Sequence, residues 1–191
     1  AEVKDKNGDG QINTSLDSNN DGKIEANEVL TWGTDEAVEL VMDLNNSAPQ
    51  AIAVDKENRV WVGLKNDYKY FVLNSKTGSI EKELEVESEP YAAVVDKDGN
   101  LWSAGGLDNK LEKINTANFS YEENYYVEKD IRNLAVNEAG VVWAPDYNSA
   151  AVVRFDPKQE QYTLNYGSGN QGRGITIDLQ GNVWVSYDNH R

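Results

Sequence analysis

Apolar and polar positions alternate along most of the chain in short runs, and the runs recur at a fixed spacing. Trp61, Trp102, Trp143 and Trp184 stand 41 residues apart, and the text around them repeats without gaps: AIAVDKENRVWVG, AAVVDKDGNLWSA, LAVNEAGVVWAP and ITIDLQGNVWVS. Such alternation predicts half-buried strands. Six positions before each Trp stand Asp55, Asp96, Asn137 and Asp178, residue types that open a tight turn by bonding their own backbone. Three positions before it stand Asn58, Gly99, Gly140 and Gly181, which suit a turn residue with φ > 0. Each unit therefore opens with a hairpin: strand a, turn, strand b. Leu73, Ile114 and Phe155 repeat the spacing of 41 and mark a strand c, followed by Asn74, Asn115 and Asp156 at its turn. IEKELEV, YEENYYV and YTLNYG then predict a more exposed strand d.

Four short strands every 41 residues is the period of a propeller blade. The predicted fold is all-β: a β-propeller of about four four-stranded blades over 35–191, the last one incomplete, preceded by a distinct segment over 1–34. A Trp in the same place in each blade is expected to pack between blades. Residues 37–44 (AVELVMDL) also alternate and are expected to form a strand d before the first strand a. The sequence closes on an a–b pair, with the next strand c due roughly five residues past Arg191. Two arrangements are open: the blades belong to a larger ring, which is the favoured one, or the four units close on themselves through the early strand d. The unpaired edge must be covered or used for pairing.

The first 28 residues follow another rule. DKNGDGQINTSL (5–16) and DSNNDGKIEANE (17–28) are two 12-residue units set end to end, with Asp5, Asn7, Asp9, Gly10 and Ile12 matching Asp17, Asn19, Asp21, Gly22 and Ile24. Calcium takes about 6–8 oxygen ligands, and side chains at loop positions 1, 3 and 5 point inward as the chain wraps the ion. Glycine at position 6 makes the sharp bend, and the main-chain carbonyl of position 7, Gln11 or Lys23, becomes a ligand. The second loop carries Glu25 at position 9 and Glu28 at the bidentate position 12, and so fits the EF-hand loop pattern throughout. The first loop has Leu16 at position 12. It is expected either to share Asp17 between two ions or to complete its shell with Asn13, Thr14 or water, and to bind more weakly. The metal ligands expected are thus Asp5, Asn7, Asp9, Gln11, Asn13, Asp17, Asn19, Asp21, Lys23 and Glu28, for one or two calcium ions. Ile12 and Ile24 are expected to pair the loops through a short β bridge. Only EANEVL (25–30) could form a helical turn, and Val29, Leu30 and Trp32 are expected to dock the segment on the propeller. DKDGN at 96–100 stands in the a–b turn column and reads as a turn.

Composition narrows the classes. Lys plus Arg number 18 against 33 Asp plus Glu, a net charge of −15. That argues against nucleic acid and anionic membrane surfaces as partners and suits cations. With no cysteine, disulfides, Cys-bound zinc, iron–sulfur clusters and cysteine catalysis are out. No apolar run approaches the ~18–20 residues that span a bilayer.

The calcium loops resemble those of dockerins and thrombospondin type 3 repeats, in which ions stand in for a hydrophobic core. The blade text, of the form AVDxxGNVWV…VxxFDPxT over 37–191, resembles NHL/SMP-30-like propellers and most closely the virginiamycin B lyase-like group. That resemblance implies a propeller fold, and in the family's enzyme histidine acid–base chemistry with a divalent metal. This chain has one histidine, His190. In a four-stranded blade the d–a and b–c connections share one end, which places Gln50, Tyr91, Arg132 and Arg173 near a central channel beside Lys65, Asp146, Tyr147, Tyr187, Asp188 and His190. Of these, Gln50, Tyr91, Arg132, Arg173, Tyr147 and Tyr187 form a candidate surface for an anionic or sugar-like ligand. The resulting expectation is a secreted or cell-surface calcium-binding propeller with a structural, adhesive or assembly role, more a binding module than an enzyme. Its partners would be calcium, another chain or copy at the open blade edge, or a glycan. The alternatives are a lyase-like enzyme or a carbohydrate-binding propeller.

Overall fold

The computed structural model describes residues 3–31, 33–44, 47–167 and 169–190, the side chains of Asn189 and His190 excepted. Trp32, the His190 imidazole and Arg191, all named above, lie outside the described residues. The chain forms two compact units, Ala1–Asp43 and Leu44–Arg191.

The second unit is built from antiparallel meanders. The first sheet runs β1 (Pro49–Val54), β2 (Arg59–Leu64), β3 (Lys69–Asn74) and β4 (Ile80–Glu85), paired in that order. The next is β5 (Ala92–Val95), β6 (Asn100–Ala104), β7 (Lys110–Asn115) and β8 (Ser120–Tyr126). The third is β9 (Ala135–Val136), β10 (Val142–Pro145), β11 (Ala151–Asp156) and β12 (Gln161–Tyr166). The last is the hairpin β13 (Gly169–Ile177) and β14 (Val183–His190). These are the expected a–b–c–d blades, and the turn column behaves as its residue types require: φ is 61° at Asn58, 87° at Gly99, 83° at Gly140 and 85° at Gly181.

Residues 37–44 form no strand, contrary to their alternation. A strand d is held by the c strand of its own blade, and the final hairpin has no c strand among the described residues. Without a partner for its backbone groups, an alternating segment has no ladder to join.

The aspartate of the a–b turn does two jobs. In blade 1, Asp55 Oδ1 accepts the amides of Glu57 and Arg59 while Oδ2 accepts the Trp61 indole N–H at 2.8 Å. Asp96 with Trp102, and Asp178 with Trp184, repeat this at 3.0 Å each. The turn is thereby clamped to the strand that follows it. Burial pushes the Asp55 carboxyl up, but the Trp61 indole and the Arg59 amide and guanidinium outweigh it and hold it below the ordinary value. Asp178 is held at about 2, chiefly by the Trp184 indole.

Each tryptophan faces the following blade. Trp61 and Trp102 are 0% and 1% exposed. Trp61 packs with Ala51, Ala53, Tyr70 and Val72 against Leu101 and Ile114 of blade 2. Trp102 packs with Leu111 and Val127 against Val142, Val153 and Phe155 of blade 3. Trp143 meets only a hairpin and is half-buried. Trp184, with no blade after it among the described residues, is 62% exposed. The core therefore lies between blades, and each blade depends on its neighbour for burial.

The first unit has neither helix nor strand among its described residues. Ile12, Leu16, Ile24 and Val29 are all exposed. The loops do not pair through Ile12 and Ile24, because no flanking helices carry them side by side. The segment 25–30 makes a single hydrogen-bonded turn, Glu28 N–H to the Glu25 carbonyl at 2.9 Å. Its only buried described residues are two glutamates, Glu28 and Glu36.

Candidate functional site

The two amino-terminal loops repeat one hydrogen-bond register. At position 1, Asp5 Oδ2 accepts the Gly10 amide at 2.7 Å, and Asp17 Oδ2 accepts the Gly22 amide at 2.8 Å. At position 3, Asn7 and Asn19 accept the amides of Asp9 and Asp21 at 2.9 and 2.8 Å. At position 5, Asp9 and Asp21 accept those of Gln11 and Lys23 at 2.8 and 2.9 Å. Gly10 and Gly22 have φ of 85° and 86°, and an added Cβ would meet nothing at either; glycine is required there for its backbone angle, not for space. Asp5 and Asp17 use both carboxylate oxygens on the loop's own amides, Asp5 Oδ1 accepting that of Gly8 at 2.6 Å and Asp17 Oδ1 that of Asp21 at 3.2 Å.

Glu28, at position 12 of the second loop, accepts the Ser18 amide and hydroxyl and the Asn19 amide on Oε1, and the Glu25 amide on Oε2. These amides belong to positions 2, 3 and 9. The Ser18 hydroxyl and the Glu25 amide hold its carboxyl below the usual range. In the first loop the corresponding amides, of Lys6, Asn7 and Asn13, go to Glu36: 2.7 and 3.0 Å on Oε1 and 2.7 Å on Oε2. Of the other candidates for completing that loop, Asp17 serves the amides of loop 2, the Asn13 side chain bonds Asp9 at 2.8 Å, and the Thr14 hydroxyl donates to Asp35. Sequence reasoning misses Glu36 because it stands 20 residues past position 12; no local pattern carries that distance.

The donor set can be tested against a cation. All the side-chain groups are hard oxygens: carboxylates at positions 1 and 5, amide oxygens at position 3, and a carboxylate set on positions 2, 3 and 9. That chemistry fits calcium better than a thiophilic or imidazole-seeking metal. Among the described residues, no three His, Asp or Glu side chains stand close enough to hold a metal alone; the pattern needs Asn and main-chain oxygens as well. Neither Glu28 nor Glu36 forms an ion pair with a Lys, Arg or His among the described residues.

On the propeller unit, four of the six channel-face candidates come together. The Arg132 guanidinium lies 3.5 Å from the Tyr147 ring centre and 5.4 Å from that of Tyr91, and Arg173 lies 4.7 Å from Tyr147 on its own account. Lys65 extends the stack over Tyr91 at 5.4 Å. The d–a and b–c connections thus share one end, as the blade geometry requires. Both arginines are already bound: Arg132 by two bonds to the buried Asp130, and Arg173 to Asp188 at 2.6 Å. These pairs raise both guanidinium pKa values, so the stack stays cationic under ordinary conditions. Gln50 lies exposed on β1. Tyr187 donates to the Ala150 carbonyl at 3.3 Å and covers Gly167.

No known family pattern matches the chain, and no curated protein sequence matches it. Solved structures do. A streptogramin B lyase is 18% identical with a TM-score of 0.66, over 77% of this chain and 50% of that one. A catalytically inactive variant of the virginiamycin B lyase from Staphylococcus aureus, with quinupristin, is 19% identical with a TM-score of 0.65, over 79% and 53%. The hydrazine synthase of Kuenenia stuttgartiensis is 13% identical with a TM-score of 0.65, over 74% and 42%. The chain spans about half the length of these structures. At such identities the likeness is one of fold, and the fold is that of a β-propeller like virginiamycin B lyase.

Proposed function

We propose that this chain is a calcium-binding β-propeller module with a structural, adhesive or assembly role, secreted or at the cell surface. The observation that carries the reading is the first unit's inverted interior. Its exposed side chains include Ile12, Leu16, Ile24, Val29, Leu40 and Val41, and its buried ones among the described residues are two carboxylates. Hydrogen bonds from the loop hold the Glu28 carboxyl in its charged form, and a bound cation would compensate that charge. Tandem loops with oxygen ligands at positions 1, 3 and 5 would supply the rest of such a site, and the millimolar calcium outside cells suits loops of modest affinity. Isothermal titration of chelator-treated protein with calcium chloride, alongside limited proteolysis, tests it. Uptake of one or two ions with protection of residues 1–43 is expected. Titration without heat and cleavage unchanged by calcium would sink it.

The partner in this reading is a second copy of the chain, meeting the blade edges and faces that are exposed at both ends of the propeller unit. A second reading, a site for an anionic or sugar-like ligand, is favoured by the Tyr91–Arg132–Tyr147–Arg173 stack. A ligand there would have to compete with Asp130 and Asp188 for the guanidiniums, so selectivity would rest on the tyrosine faces. A glycan array probed with calcium-loaded protein decides it: binding lost in Tyr147→Ala supports the site, and a blank array removes it. Lyase chemistry carries over from the structural neighbours by analogy of fold alone.

A further inference from the structure

We propose that Glu112 is held as a neutral carboxylic acid whose Oε2–H donates to Ser88 Oγ, and that this bond is a proton-operated latch on the connection 86–91 between the first two blades. Loss of the proton opens it. The latch belongs wholly to the propeller unit.

The neutral state follows from what surrounds the carboxyl. Glu112 and Ser88 are both 0% exposed. Glu112 Oε1 accepts the Glu87 amide at 2.9 Å and the Tyr121 hydroxyl at 3.3 Å. Two donors occupy Oε1, which makes it the carbonyl oxygen of the acid and leaves Oε2 for the proton. Ser88 acts on the same carboxyl, yet Ser88 Oγ and Glu112 Oε2 are buried and neither has a hydrogen-bond partner. A proton on Oε2 serves both orphaned oxygens. A carboxylate could take the Ser88 hydroxyl proton instead, but its charge would then be buried without a cation. The titratable groups that face it are Glu87 on the connection, Tyr121 on β8 and Tyr70 on β3. On β6, Ser103 stands opposite it, is uncharged, and accepts the Tyr70 hydroxyl at 2.8 Å. Lys110 pairs with Glu87 at 3.4 Å, and Glu112 has no ion pair among the described residues. Burial therefore outweighs the bonds to the carboxyl and favours its neutral form.

The bond matters because of where Ser88 stands. The connection is pinned on both sides of it: Val86 N–H to the Tyr68 carbonyl at 2.9 Å, Glu87 N–H to Glu112, Glu89 N–H to Asp108 at 2.7 Å and Tyr91 N–H to the Ala104 carbonyl at 2.9 Å. An added Cβ on Gly105 would lie 2.6 Å from Ser88 Oγ, so the hydroxyl is enclosed, and water reaches a charged Glu112 only when the connection moves. The latch is closed below the folded pKa of Glu112 and opens as pH rises through it. The connection ends in Tyr91, whose ring meets Lys65 and Arg132 in the stack described above. The proton thereby sets how firmly Tyr91 is held. One repeat later the two positions are Lys129 and Val153, so the pair is particular to this boundary and not a requirement of the blade.

Infrared titration of the full chain reads the proton, and hydrogen exchange reads the latch. In the wild type, one protonated-carboxyl band is expected to persist after the exposed carboxyls have ionised, and to be missing in Glu112→Gln. As that band disappears, the amides of 86–91 should lose about tenfold in protection, corrected for the intrinsic rate. Glu112→Gln, whose side-chain amide donates to Ser88 at any pH, should keep them protected throughout. Ser88→Ala should lower the midpoint of the band, because the acid loses its acceptor. A wild type in which no protonated carboxyl outlasts the exposed ones would overturn the proposal. So would a midpoint that rises in Ser88→Ala, which would make Ser88 a donor to a carboxylate, or protection of 86–91 that ignores the midpoint. If a variant fails to fold, the wild-type band and its coincidence with exchange at 86–91 decide.

Discussion

The indole N–H of a buried tryptophan needs an acceptor, and three blades supply one from the aspartate six residues earlier. Blade 3 does not. Asn137 Oδ1 accepts the Ala139 and Val141 amides at 3.0 and 2.9 Å, so its remaining polar atom is an NH2 group, a donor. Trp143 Nε1 is buried without a partner. Asn137→Asp restores the second oxygen and should stabilise the chain by about 1 kcal/mol, while Asp96→Asn should cost about 1–3 kcal/mol by orphaning the Trp102 indole; thermal melts of the two variants check the opposite signs. Glu112 is a second anomaly. It is fully buried, its Oε2 unpaired, and burial pushes its carboxyl pKa up against the bonds that hold it down. The folded state therefore binds the proton more tightly than the unfolded one. Its contribution to stability is fully present below the ordinary carboxylate pKa and is lost as pH rises through the folded value. Glu112→Gln, which keeps an acceptor for the Glu87 amide, should gain on the wild type between about pH 4 and pH 7 in urea denaturation. A difference that stays flat with pH would mean Glu112 is not shifted.

Between blades the tolerance is set by shape. The β2 residue Gly63 is where one blade admits its neighbour's approach: an added Cβ would lie 2.5 Å from Pro90 Cβ, 2.8 Å from Ala51 Cβ and 2.9 Å from Tyr70. The space it leaves holds the Tyr70 ring, whose hydroxyl donates across the blade boundary to Ser103 at 2.8 Å. Gly63→Ala should cost about 1–3 kcal/mol by overpacking, with the near-ultraviolet circular dichroism of the Trp61–Tyr70 pair altered; a neutral result would mean the blades can part slightly. These contacts also mark what the sequence can tell. Strands and turns are legible because period-2 alternation and the recurrence of a positive-φ residue three before each Trp are local rules, here realised by Asn58, Gly99, Gly140 and Gly181. The Trp-to-Asp clamp is visible as a constant offset of six but not as a bond, because the turn between them folds the two side chains together. Residues 37–44 read as a strand because alternation reports only the capacity to pair; the partner is a tertiary fact. Glu36 is illegible for the same reason: its bonds to the amides of Lys6, Asn7 and Asn13 reach back across the second loop.

At the scale of the whole propeller unit, its two outer faces are the two halves of one kind of contact. The forward face of each blade presents its tryptophan, and the rear face of the next receives it with the residues at Ala93, Val95, Leu101 and Ile114. The forward face of the last hairpin carries Trp184 at 62% exposure. The rear face of blade 1 carries Ile52 and Val54 at 66% and 52%, which stand one repeat before Ala93 and Val95. Head-to-tail contact between copies would bury both, and a heterologous contact of this kind closes into a ring or runs on as a filament according to its rotation. On the proposal of a second copy as partner, sedimentation velocity should show self-association at micromolar concentration. Trp184→Lys should weaken it by about tenfold or more, because a buried tryptophan at the centre of an interface is worth about 2 kcal/mol or more. The same substitution should cost the monomer no more than about 1 kcal/mol, the net worth of its exposed bond to Asp178, whereas Trp102→Ala should cost about 3–5 kcal/mol. A chain that stays monomeric at tens of micromolar, with Trp184 fully open to acrylamide quenching, would show that the two faces do not recognise one another.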